Sequence, residues 1–146
     1  MSINMNNSSK IIEKLRSSGL RPTKQRVQIA EFLFNREKTF HFTINDLAKN
    51  ISDHLNEKIS LATVYNTVHA FKDKGYLKEI SINSDKSYFD TNITNHHHFF
   101  DEDTNQLIDC NNEDIEEVKI KKNITAKNIK SVEVLIKVAS DNQNQN

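Results

Sequence analysis

The sequence is poor in the residues that build several kinds of functional site. Its 146 residues include one cysteine, Cys110, and one proline, Pro22. A single cysteine excludes an intrachain disulfide and a Cys-x-x-Cys zinc pair, so we interpret Cys110 as a small apolar packing residue. Since Pro22 does not follow a cysteine, a Cys-Pro haem-regulatory dipeptide is absent as well. We therefore expect a reducing compartment and no cysteine-based structural zinc.

Glycine is also scarce, because the chain contains two glycine residues. Loops that cradle phosphate groups need several glycines, and the sequence contains neither Gly-x-Ser-x-Gly nor His-Glu-x-x-His. A histidine and aspartate metal centre remains, but no candidate general base stands at a recognisable spacing from it. We therefore expect a protein without enzymatic activity.

Long hydrophobic runs are missing. No apolar segment approaches the roughly 18–20 residues that cross a bilayer, and the polar N-terminus lacks the apolar stretch of a signal peptide. Hydrophobic residues make up 36% of the chain, which is enough for a modest core. We expect a cytoplasmic protein that does not associate with membranes.

The net charge of zero hides a difference between the two halves of the chain. Residues 10–80 carry 13 Lys/Arg against 8 Asp/Glu, a balance of +5, whereas residues 81–146 carry 7 against 12, a balance of −5. A basic half suits a polyanion such as DNA, because contacts with phosphates release counterions. A chance imbalance is the alternative that charge alone leaves open. The division favours two functional units.

The first half of the chain predicts four helices, because apolar residues recur there every three to four positions. Residues that favour helix starts precede each segment, and glycines follow the first and the fourth. The predicted starts are Ser8 or Ser9, Pro22 and Thr23, Thr43, and Ser60, and the predicted ends are Gly19 and Gly75.

The fourth predicted helix carries the sequence ISLATVYNTV at residues 59–68. Its apolar spacing predicts that one face packs on the core, and this face comprises Leu61, Val64, Val68 and Phe71. The remaining positions contain no acidic residue and can enter a major groove, where Thr63 and Asn66 suit base edges and Tyr65 suits a thymine methyl group. An ordinary solvated helix face is the alternative.

After Gly75 the pattern changes to short β-rich runs. Residues 76–80 and 86–90 predict a hairpin with its turn at residues 83–85, and helices followed by such a hairpin form a winged helix. The second half predicts strands at residues 99–100, 107–108 and 129–138. Ile115 and Val118, with Lys122, suggest one helix between them. We therefore predict an α+β fold, with a winged-helix domain at 8–91, a small α/β dimerisation domain at 92–140, and disorder at 1–7 and 141–146.

Three consecutive histidines, His96, His97 and His98, follow the predicted hairpin. On a strand His96 and His98 point to the same side and His97 to the other. Two imidazoles on one side suit Zn²⁺, Fe²⁺, Mn²⁺ or Cu²⁺, and a third suits a second site or haem iron. Asp90 offers an oxygen ligand, and His41 offers a further imidazole from the other half of the chain. An exposed histidine run in a loop is the alternative.

Four segments together resemble the ferric uptake regulator family. The segments are GLRPTKQRV at 19–27, KTFHFTINDL at 38–47, ISLATVYNTV at 59–68 and KSYFDTNITNHHHFF at 86–100. Asn66, the form of the segment from Asp90 to HHHFF, and the absence of paired Cys-x-x-Cys motifs make the chain most similar to the iron response regulator branch. The resemblance implies homodimeric winged-helix regulators that bind a roughly palindromic double-stranded DNA operator.

The resemblance also implies ligand residues. The family's regulatory metal site corresponds to His41, Asp90 and His98, with His96 as a further ligand, and it holds Fe, Mn or Zn. A second family site corresponds to His97 and Glu116. The branch resemblance implies that the run His96–His98 binds haem.

We therefore predict a regulator of iron and haem homeostasis genes, in which ligand binding shifts the angle between the two domains. Thr63, Tyr65 and Asn66 are predicted to contact bases, and four residues are predicted to hold phosphates: Arg21, Lys24, Arg26 and Ser60. One alternative is a repressor that uses a divalent metal as corepressor without sensing haem. Another is a protein that sequesters metal or haem and does not bind DNA.

Overall fold

A computed structural model describes residues 8–141 of the chain. The chain divides into two compact units between Ile93 and Thr94, whereas the sequence placed the division after residue 91. The disorder predicted for 1–7 and 141–146 concerns, apart from Asp141, residues outside the described part. No helix in residues 8–141 is both long enough and apolar enough to span a membrane.

Four helices form most of the first unit: α1 (Ser8–Ser17), α2 (Lys24–Phe34), α3 (Ile44–Leu55) and α4 (Leu61–Asp73). The predicted starts of the last three are confirmed. Thr23, Thr43 and Ser60 each accept a hydrogen bond from the backbone N–H three residues on, at 3.3, 3.2 and 3.1 Å. These side chains satisfy N–H groups that a helix leaves unpaired at its first turn. Gly19 and Gly75 follow α1 and α4 with φ of 79°, a left-handed conformation that glycine adopts without strain.

The core of the first unit lies between the four helices and a small sheet. Helix α4 contributes the fully buried Val64, Val68 and Phe71, as predicted, and also Thr67 at 2% exposure. The prediction for Leu61 was wrong, since this residue is 53% exposed. Leu61 is the first residue of α4, so the buried stripe begins one turn later, where the helix meets its neighbours.

The sheet of the first unit has three strands, β1 (His41–Phe42), β2 (Lys78–Asn83) and β3 (Lys86–Asp90). Their order is β1-β3-β2, and both pairs are antiparallel. The hairpin of β2 and β3 confirms the predicted wing, although β2 begins two residues later than predicted. The sequence did not predict β1, whose His41 and Phe42 pair with Asp90 and Phe89.

The second unit contains strands β4 (His97–Asp101), β5 (Gln106–Cys110) and β6 (Leu135–Val138). The order is β5-β4-β6. Strands β4 and β5 form an antiparallel hairpin, and β6 runs parallel to β4. The predicted strands around Phe99 and Leu107 are thus confirmed, and the α+β class holds for the chain.

Two predictions for the second unit were wrong. No helix occurs at 115–122, where a single 3-10 turn (Asn112–Asp114) precedes irregular chain. The apolar Val118 and Ile120 alternate with lysines in a period of two, which is unsuited to a helix. The last strand begins at Leu135 instead of residue 129, because its partner β4 reaches only from His98 to Asp101 in this pairing.

Candidate DNA-reading helix and metal-binding clusters

The outward face of α4 presents the residues that were predicted to read bases. Tyr65 is 52% exposed, Asn66 is exposed and Thr63 is partly exposed. The Ser60 hydroxyl donates to Thr63 Oγ1 at 2.8 Å, so the Thr63 hydroxyl keeps its own proton for another acceptor. Base contacts by these residues stay a prediction, and nothing in their exposure opposes it.

The residues predicted to hold phosphates lie at the start of α2 and at the start of α4. Lys24 Nζ is 3.6 Å from Glu57 Oε1, and both side chains are exposed. An exposed pair of this kind contributes little to stability, about 0–1 kcal/mol, so a phosphate can compete for the lysine. Arg26 Nη1 donates to the backbone oxygen of Arg21 at 3.2 Å, which brings the two arginine positions close together.

His69 joins helix α4 to the sheet of the first unit through aromatic contacts. Its ring centroid is 4.2 Å from that of Tyr65 and 5.5 Å from that of Phe89. The contact with Phe89 depends on tertiary packing, so the spacing of residues along α4 does not reveal it.

The first unit contains a buried pair of side chains that could hold a metal ion. His41 Nε2 lies 3.1 Å from Asp90 Oδ2, and the side chains are 15% and 1% exposed. The pairing of β1 with β3 places these two residues directly opposite each other. The backbone N–H of Asn92 donates to the other carboxylate oxygen of Asp90 at 2.8 Å. This hydrogen bond orients the carboxylate, as groups behind metal ligands commonly do.

The second unit contains a cluster of His96, His98 and Asp109, whose candidate ligand atoms lie within 4.8 Å of one another. The Nε2 atoms of His96 and His98 lie 3.2 and 3.4 Å from Asp109 Oδ1. Their ring centroids are 4.3 Å apart, which confirms that these two histidines point to the same side. His96 Nδ1 donates to the backbone oxygen of Thr94 at 2.7 Å. In a neutral ring this hydrogen bond leaves the lone pair on Nε2, the form that binds a metal.

Asp109 is the residue that the sequence analysis missed. It lies on β5 directly opposite His98 in the β4–β5 hairpin. The two predicted strands at 99–100 and 107–108 contained the information that could have identified Asp109. Extending them as a hairpin through the turn at 102–105 would have placed residue 109 beside His98.

The second predicted metal site is not assembled in the described residues. His97 Nδ1 accepts a hydrogen bond from the backbone N–H of Val134 at 2.9 Å, and Glu116 is exposed in the irregular segment. Within residues 8–141, neither side chain belongs to a group of three or more neighbouring metal-ligand side chains. The second site stays a prediction without structural support.

Cys110 is 2% exposed at the end of β5. Burial raises the pKa of its thiol, and the charge of Asp114 raises it further. Since the thiolate is the reactive form and the metal ligand, the environment of Cys110 agrees with a packing role.

Comparisons with known proteins identify a family that covers most of the chain. Residues 17–139 match the model of the ferric uptake regulator family. The peroxide-responsive repressor PerR of Staphylococcus epidermidis is 33% identical over 108 residues, which are 74% of this chain and 70% of that relative.

Two solved structures are similar to this fold. The ferric uptake regulator of Vibrio cholerae has a TM-score of 0.67 at 23% identity, over 89% of this chain and 99% of that one. The manganese-containing structure of the regulator from Pseudomonas aeruginosa has a TM-score of 0.62 at 22% identity, over 88% and 96% of the two chains.

Proposed function

The chain belongs to the ferric uptake regulator family, and from this premise we propose that it is a DNA-binding repressor whose operator affinity depends on a divalent metal ion. One observation carries the proposal. The sheet that packs against the inner face of helix α4 also contains the buried His41–Asp90 pair. A candidate DNA-reading surface and candidate metal ligands thus share one small unit.

We propose two groups of metal ligands, His41 and Asp90 in the first unit and His96, His98 and Asp109 in the second. All of them except Asp109 are implied by the family resemblance. The donor atoms are imidazole nitrogens and carboxylate oxygens. Imidazole suits Fe, Zn and Cu, and carboxylate suits Mn, so a mixed set fits Fe²⁺, Mn²⁺ or Zn²⁺. When bound to either group, such an ion would neutralise the carboxylate of that group and fix the spacing of the residues that hold it. The protein's own part is to orient its ligands, as the backbone of Asn92 does for Asp90 and the backbone of Thr94 does for His96.

The histidine run gives less support to haem. The side chains of His96 and His98 are 11% and 5% exposed, and both point at Asp109. An axial haem ligand needs a flat, open approach to its free nitrogen, and a carboxylate already occupies that side of both rings. We therefore favour the divalent ion over haem as the signal, and membership of the iron response regulator branch stays a prediction.

Peroxide is a second candidate signal, because the relative with 33% identity is named a peroxide-responsive repressor. If peroxide is the signal, the protein loaded with Fe²⁺, which peroxide oxidises, would lose affinity for operator DNA on exposure to peroxide. The protein loaded with Mn²⁺ would keep its affinity under the same treatment.

The second unit supplies the surface for dimerisation in this proposal. Several of its apolar side chains are exposed, which is typical of a surface that pairs with another protein. These residues are Ile108, Val118, Ile120, Ile124, Ile129, Val132 and Val138, with exposures from 37% to 74%. A homodimer with two-fold symmetry would present two α4 helices to a roughly palindromic operator.

The test of the proposed function is operator binding by the metal-free protein, with and without added Mn²⁺. Operator sequences are first selected from a random duplex pool, because the protein's own choice then defines them. We expect Mn²⁺ to raise affinity for the selected duplex by about 5-fold or more. Equal affinity in EDTA and in Mn²⁺ would refute the proposal. Parallel titrations with haem, and with peroxide after loading with Fe²⁺, separate the three signals.

Replacing Tyr65 with alanine is expected to weaken binding to the selected operator by about 1–3 kcal/mol, because a contact with a base edge is lost. Binding to a scrambled duplex is expected to change much less. Fluorescence anisotropy with labelled duplexes measures both. The matched variant is Lys24→Ala, which should weaken binding to every duplex and reduce the slope of log K against log salt by about 1. Equal losses on both duplexes for Tyr65→Ala would remove Tyr65 from the base-reading set.

A further inference from the structure

Strands β1 and β3 present different residues on their two faces. Directly opposite each other on one face stand His41 and Asp90, and on the other face stand Phe42 and Phe89. Successive side chains of a strand point to opposite sides, so the spacing of one pair is tied to the spacing of the other. The two phenylalanine rings are stacked with centroids 5.9 Å apart and are 4% and 2% exposed.

The phenylalanine face supports helix α4 through His69. The His69 ring meets Phe89 edge-on, with an interplanar angle of 83° and a centroid distance of 5.5 Å. Four residues earlier on the same helix face, the half-exposed Tyr65 packs against His69, with ring centroids 4.2 Å apart. An unbroken line of ring contacts therefore runs from β3, at the residue next to Asp90, to the outward face of α4.

We propose that His69 is a positioning residue, which conveys the state of the His41–Asp90 pair to Tyr65. An ion held by this pair fixes the spacing of β1 and β3, and hence the position of Phe89. The position of Phe89 sets that of the His69 ring, and the His69 ring in turn sets that of the Tyr65 ring. Metal binding thereby orders the side chain that reads the operator. The inference rests on the proposed function, and it assigns the coupling to contacts within the first unit.

In this proposal the contacts of His69 with Phe89 and Tyr65 depend on the shape of the ring and not on the charge of the imidazole. Phenylalanine at position 69 preserves an edge-on ring between Phe89 and Tyr65, whereas leucine preserves bulk but removes the flat faces. The two replacements therefore separate ring packing from simple filling of space.

The experiment measures the ratio of operator affinities with and without Mn²⁺ in three proteins. We expect the ratio to fall toward 1 in His69→Leu and to stay near the wild-type value in His69→Phe. Coupling between two binding sites is reciprocal, so the increase in Mn²⁺ affinity caused by operator DNA should fall by the same factor. Isothermal titration calorimetry with Mn²⁺, with and without the duplex, measures the second quantity. A purely structural role for His69 would lower both affinities without changing either ratio.

His54→Leu is the matched control. His54, on α3, also meets a phenylalanine ring edge-on, since its centroid is 5.5 Å from that of Phe32. The same replacement there should leave the Mn²⁺ ratio unchanged. Thermal unfolding of each variant without metal checks that the first unit is folded. If leucine prevents folding, His69→Gln replaces it, because glutamine also lacks a ring.

The outcomes distinguish the two proposals. If wild-type binding does not respond to Mn²⁺, the proposed function and this inference both fail. If wild-type binding responds and His69→Leu keeps the full ratio, the inference alone is overturned. Loss of the ratio in His69→Phe as well would also overturn it, since ring packing would then not be the basis of the coupling.

Discussion

Asp90→Asn is expected to lower affinity for Mn²⁺ by about 100-fold or more and to remove the metal dependence of operator binding. Groups that merely orient a metal ligand are worth about 10–100-fold in metal affinity, so loss of a charged ligand should cost at least as much. Asparagine keeps the shape of the side chain, and its amide oxygen still accepts the hydrogen bond from the Asn92 N–H. The variant therefore changes the charge beside His41 with little change in packing.

Isothermal titration calorimetry gives the Mn²⁺ affinity, and fluorescence anisotropy gives the operator affinity. Asp85→Asn is the control, because Asp85 lies in the turn between β2 and β3 and is exposed. That variant should bind Mn²⁺ like the wild type. A folded Asp90→Asn protein with wild-type Mn²⁺ affinity would exclude Asp90 from the ligand set.

Phe71→Ala is expected to destabilise the first unit by about 3–5 kcal/mol, because it leaves a cavity where a large ring was fully buried. Phe71 has 0% exposure and packs against Phe34 and Tyr76, with centroid distances of 5.7 and 6.4 Å. An effect of this size is a large part of the stability of an average domain. We therefore expect the variant to be partly unfolded at growth temperature.

Urea denaturation followed by tyrosine fluorescence measures this effect for the first unit alone. The chain has three tyrosines and no tryptophan, and Tyr65, Tyr76 and Tyr88 all belong to the first unit. Leu61→Ala in the same helix is the control, because Leu61 is 53% exposed and its truncation should cost within about 0.5 kcal/mol. A large loss for Leu61→Ala would contradict the exposure of this residue.

The first unit was largely predictable because its signals are local. Thr23, Thr43 and Ser60 each cap a helix within three residues, and the apolar spacing of α4 identified Val64, Val68 and Phe71. The error at Leu61 has a tertiary cause, because spacing assigns a residue to a helix face but does not show how far the neighbouring elements extend along it.

The second unit was less predictable because its order depends on contacts distant in sequence. Residues 115–134 contain many β-branched side chains. Such side chains are unfavourable in a helix, and they form a stable strand only where another strand pairs with them. The metal cluster shows the same limit. The alternation of His96 and His98 followed from the strand period, whereas Asp109 required the register of the β4–β5 hairpin.

The parallel pairing of β6 with β4 also predicts the order in which the second unit assembles. Strands β4 and β5 are joined by a short turn, so they form a hairpin by local closure. The N–H of Val134 reaches His97 across 37 residues of sequence, and closing such a long irregular loop costs more entropy and slows folding. We therefore expect strand β6 to join the hairpin last and to be the first strand of this unit to detach when the native state fluctuates.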